Sequence, residues 1–64
     1  MSIKTRGLKE EILTEVIREF GFENPITIDV ARLVDDERCG LNMMRGLTRI
    51  WTRRERERLA AEEG

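Results

Sequence analysis

The sequence predicts a small all-α domain of three helices, or four if the arginine-rich tail forms its own. Three observations carry this expectation. Apolar residues recur at helical spacing in three separate stretches, turn signals (GFENP and DDERCG) separate those stretches, and no two runs of alternating residues exist that could pair as strands. With 64 residues the chain is a single domain, 1–64. A domain of that size buries only roughly 60% of the surface its unfolded chain exposes.

In the first stretch Leu8, Ile12, Leu13, Val16, Ile17 and Phe20 form one stripe. The predicted helix covers about 7–20, starting near Thr5 or Gly7. Gly21 then suits a left-handed terminator, with Phe22 folding back onto the last turn. In ITIDVARLV the alternation of Ile26, Ile28 and Val30 also fits a strand. A helix over about 28–34 is preferred, because Ala31, Arg32 and Leu33 propagate one well and a strand here has no partner. Thr27 serves as its expected N-cap, and Val30, Ala31, Leu33 and Val34 form its buried side.

Asp35 or Asp36 is positioned to cap the third helix, predicted over about 40–51. Its inward side reads as Leu41, Met44, Leu47, Ile50 and Trp51, with Asn42, Arg45 and Arg49 facing outward. Gly46 costs up to about 1 kcal/mol in mid-helix, so either a neighbouring element packs close there or the helix bends. Beyond Trp51 the tail TRRERERLAAEEG consists of helix formers and forms a helical extension over about 53–62. Thr52 and Glu55 have the spacing of a capping box, so the third helix either continues or restarts as a fourth.

Composition narrows the function classes. The chain has no histidine or tyrosine to act as general acid or base, no glycine-rich phosphate loop, and Cys39 as its single cysteine. Disulfide stapling and a His/Cys zinc site within one chain are thereby excluded, and Cys39 reads as a small, semi-buried thiol. Asp35, Asp36 and Glu37 read as solvent-facing caps before they read as a cation site. The expectation is a non-enzyme without cofactor, metal or small-molecule substrate. No apolar run approaches the roughly 20 residues that cross a bilayer, so the chain is expected in the cytoplasm, off the membrane. Charge is uneven along it. Residues 1–37 hold five basic and nine acidic side chains, whereas residues 38–58 hold seven arginines against Glu55 and Glu57. Arginine without lysine favours planar, bidentate or stacked contacts.

The stretch TIDVARLVDDERCGLNMMRGLTRI resembles the helix-turn-helix and winged-helix families, over about 24 of the 64 residues. The resemblance implies a nucleic-acid-binding regulatory protein. Ala31 would be the small residue allowing close helix approach, Val30 and Val34 its flanking core partners, and Leu41 and Met44 the inward side of the second helix of the motif. It implies further that Asn42, Arg45 and Arg49 approach base edges in duplex DNA, with Arg53, Arg54, Arg56 and Arg58 on phosphates. Asn42 has the chemistry of an adenine reader.

A second reading stands beside it, a protein–protein interaction module acting as adaptor, inhibitor or assembly subunit. An acidic half and a basic half can associate as a homodimer, or the arginine-rich helix can dock on an acidic protein surface. Trp51, Met43 and Met44 beside arginines make an interface-like composition, although each also fits a core position. The two readings separate on geometry. If Arg45, Arg49 and Arg53 lie against the acidic residues of the first helix, they are internal partners and not a binding face.

Overall fold

A computed structural model describes residues 3–63 of the chain as three helices, α1 (Ile3–Phe20), α2 (Pro25–Asp35) and α3 (Leu41–Glu63), with no strand among the described residues. The all-α expectation is met. α1 begins at Ile3, two to four residues before the expected start near Thr5 or Gly7. It stops at Gly21, whose φ is 85° and whose N–H donates to the Ile17 carbonyl at 2.8 Å. That single bond is the simpler left-handed terminator, in which the next residue need not fold back. Phe22 is 75% exposed, so the expected packing onto the last turn does not form.

α2 starts three residues before the sequence reading placed it. Asn24, not Thr27, is the N-cap: its side-chain oxygen accepts from the Ile26 N–H at 2.9 Å, and Pro25 follows at the first helical position. Thr27 is buried instead, and its hydroxyl donates to the Gly21 carbonyl at 2.7 Å, stitching the end of α1 to the start of α2. Val30 and Val34 face the core as expected. Asp35 is the last residue of α2 and Asp36 its C-cap, so the acids close α2 and do not open α3. The Asp36 carboxylate accepts from the Arg38 N–H at 2.9 Å, while its carbonyl accepts from the Cys39 N–H at 3.1 Å.

Lys9, which the apolar pattern passed over, organises this turn. It lies on the inner side of α1 beside Ile12, Leu13 and Val16 and is fully buried. Its Nζ donates to the carbonyls of Asp36 at 3.0 Å and Cys39 at 2.7 Å. The apolar stem fills core space and the polar tip satisfies two turn carbonyls that have no helical partner. Around it the core consists of Val16, Val30, Val34, Cys39 and Met44, with Ile12, Leu13, Phe20, Ile26, Leu33 and Trp51 packed against it.

α3 is one unbroken helix of 23 residues, about 35 Å long at 1.5 Å per residue. The tail neither restarts nor forms a fourth helix. Thr52 is not a cap, because its hydroxyl donates back to the Thr48 carbonyl at 2.8 Å inside the helix. Among the described residues no helix is long and apolar enough to cross a membrane.

Replacing Lys9 by Met keeps the stem and removes the donor. It is expected to cost about 1–3 kcal/mol in denaturant unfolding, since the Cys39 carbonyl loses its donor and the Asp36 carbonyl keeps only the Cys39 N–H. Hydrogen exchange should accelerate at residues 36–40 before the rest of the chain, and an unchanged midpoint would contradict the anchoring role.

Candidate interaction face of the third helix

The inner line of α3 is Met44, Thr48, Thr52 and Glu55, spaced four, four and three. Only Met44 of these is a large apolar residue. The predicted inward side was correct for Met44 and, in part, for the half-buried Leu41, Leu47 and Trp51, but Ile50 is 48% exposed. Thr48 and Thr52 are buried on this line and border an open groove whose other wall is Ile12, Val16 and Glu19 of α1.

Polar contacts fix the second half of α3. Glu55 is buried on the inner line, where it accepts from the Asn24 side-chain amide at 2.5 Å and from Arg58 through two bonds of 2.7 and 2.8 Å. Asn24 therefore caps α2 with one side-chain atom and grips α3 with the other. On the opposite edge Arg56 makes a bidentate pair with Glu19 near the end of α1, one arm at 2.6 Å. The guanidinium of Arg58, helped by Asn24, holds the Glu55 carboxyl down at about 2, and Arg56 lowers that of Glu19. Arg6 likewise ties the start of α1 to Asp35 at 2.6 Å, which raises the pKa of the Arg6 guanidinium.

These contacts sort the seven residues expected to bind a partner. Arg56 and Arg58 are committed to carboxylates of the same chain, and Arg53 lies 3.4 Å from Glu57 as an exposed pair worth only a few tenths of a kcal/mol. Asn42, Arg45 and Arg49 share one exposed flank, spaced three and four, and among the described residues no ion pair engages either arginine. Arg45 borders an open groove whose other wall is Leu8, Glu11, Ile12 and Glu15 of α1. Arg54 sits on the other flank, beside Ile26, Asp29 and Trp51. Arg53, four residues past Arg49, continues the first flank, so the arginines divide between two flanks of α3.

Sequence reasoning missed a different feature. Met43 (57% exposed), Gly46, the half-buried Leu47 and Ile50 line up along the solvent side of α3. Their spacing of three, one and three is itself helical, so α3 carries an outer apolar stripe besides its mostly polar inner line, and a single-stripe reading merges the two. Gly46 is exposed, and a Cβ built on it meets nothing within 4 Å. No close intrachain neighbour accounts for this glycine, and α3 runs through it without interruption. The acidic triplet is likewise dispersed: Asp35 binds Arg6, Asp36 turns onto its own loop, and among the described residues no group of three potential metal ligands is assembled. Cys39 is buried, its thiol directed at the Gly40 carbonyl.

The chain matches no protein-family model, no curated protein and no solved structure. Its function is read from this surface alone.

The Glu55 contacts set an acid limit on stability. A carboxyl held at about 2 in the folded chain, against an ordinary 4.5, contributes fully above about pH 5 and loses that contribution as pH falls towards 2. Glu19 acts in the same direction. Thermal unfolding followed from pH 6 to 2 should show a smaller loss for Glu55→Gln than for the native chain; parallel curves would contradict this.

Proposed function

We propose that this chain is a small helical protein–protein interaction module that presents the outer side of α3 to its partner. The observation that carries the reading is the line of exposed Met43, Gly46 and Ile50 with half-buried Leu47 beside them, left uncovered on a helix whose inner side is already packed. Apolar side chains at this spacing are what a helix offers to another helix or a groove. The arginines at its edges, Arg53 and Arg54, give that face the polar rim common to protein interfaces. No reaction is assigned, because the one thiol lies in the core and the chain has no histidine or tyrosine. A single buried cysteine fits the reducing cytoplasm.

One observation favours a second reading, nucleic-acid binding. Asn42, Arg45 and Arg49 stand together on one flank, free to reach base edges or phosphates. Against it, Glu11 and Glu15 face Arg45 across the groove, and Arg56 and Arg58 are neutralised by Glu19 and Glu55, which leaves little positive field for a polyanion.

A photo-crosslinking residue placed at Leu47 should give protein adducts in the producing cell, while the same residue at Lys4, exposed on α1, should not. Absence of protein adducts at Leu47 would overturn the interaction reading. Titration with duplex DNA at two salt concentrations decides the second reading. Tight, steeply salt-dependent binding that weakens in Arg45→Ala and Arg49→Ala would replace the first proposal by the second; no binding at low salt is the expected result.

A further inference from the structure

Resting on the interaction reading above, we infer that the occupant of this face is a second copy of the chain, paired α3 to α3 in antiparallel fashion about a two-fold axis between Gly46 and Leu47. A two-fold interface must present the same patch on both copies, each residue meeting a position equally far from the axis on the other. The stripe has that symmetry. Met43 and Ile50 are equidistant from the midpoint, so Met43 of one copy meets Ile50 of its partner and Gly46 meets Leu47, twice over. Gly46 then has the role that the single chain does not give it: with no side chain and open space around it, it lets the partner's helix approach and receives Leu47.

Charge selects the same arrangement. Arg53 and Arg54 lie one turn beyond Ile50, and in the antiparallel pairing they mirror Gly40 and Cys39, the end of the turn that carries Asp36 and Glu37. Arg54 and Glu37 are both exposed, and among the described residues neither is engaged in an ion pair. Each Arg54 reaches towards Glu37 of the partner's turn, giving two symmetric contacts, while Arg38 flanks that turn and Glu57, which mirrors Asp36, is held by its own Arg53. A parallel pairing would set the arginines of the two copies side by side, which like-charge repulsion opposes.

The test is the mass of the full chain by sedimentation equilibrium across a concentration series. It should rise with concentration from 7.5 kDa towards twice that value. Gly46→Leu adds a side chain where the single chain has open space, so the fold should melt no lower, yet dimer dissociation should shift at least tenfold weaker. Glu37→Arg and Arg54→Glu should each weaken association, and the double exchange should restore it. A mass of 7.5 kDa at millimolar concentration, native association in Gly46→Leu, or no rescue in the double exchange would each overturn the second-copy assignment. If the purified chain stays monomeric while the Leu47 cross-linker captures a different protein, only this assignment fails. If Leu47 captures nothing either, the interaction reading fails with it.

Discussion

The buried amine of Lys9 is the contact on which the arrangement of the helices depends. By binding the carbonyls of Asp36 and Cys39 from inside the core, it fixes where the turn after α2 runs and so where α3 begins. With α3 starting at Leu41, Met44 falls into the core, and the helical repeat places Thr48, Thr52 and Glu55 inward after it. The same repeat necessarily turns Met43, Gly46 and Ile50 to solvent. A turn of different length would rotate the long helix and bury a different stripe.

The acidic-then-basic order of the chain is largely spent on holding it together. Arg6 with Asp35, Arg56 with Glu19, and Asn24 with Glu55 and Arg58 each join two elements or brace one that is joined. Exposed pairs of this kind add little stability one by one. Their effect here is on geometry: Arg6 with Asp35 ties α1 to α2, and the other two clamp the second half of α3. The arginine-rich tail is therefore a structural strut more than a free cationic arm, and what stays available for a partner is the side from Met43 to Ile50 with Arg54, unpaired among the described residues, beyond it.

How much of this was legible in the sequence depends on which physical signal carried it. The stripe of α1, the Gly21 terminator and the buried Val30 and Val34 follow from spacing and backbone freedom, and local patterns encode both. The start of α2 was misplaced because Asn24–Pro25 and Thr27 offer competing caps, and only the nearby Gly21 carbonyl and Glu55 carboxylate decide between them. Lys9 was invisible, since a lysine in an apolar stripe reads as a surface residue until its acceptors are in place. On α3 two stripes share one helix, and threonine fills the inner one, so an apolar count assigned Ile50 to the wrong side. The seven candidate residues were all found on α3, but their division between internal partners and open flank is a tertiary fact that linear spacing does not contain.

The central claim is that the outer side of α3 is a binding face, and that a second copy covers it. A dilution series followed residue by residue in two-dimensional amide NMR tests this most directly. Signals of Met43, Gly46, Leu47, Ile50 and Glu37 should move together with concentration, while those of Lys4 and Gly7, exposed on α1, stay fixed. A spectrum in which the α3 signals are independent of concentration, or in which the α1 signals move instead, would contradict it.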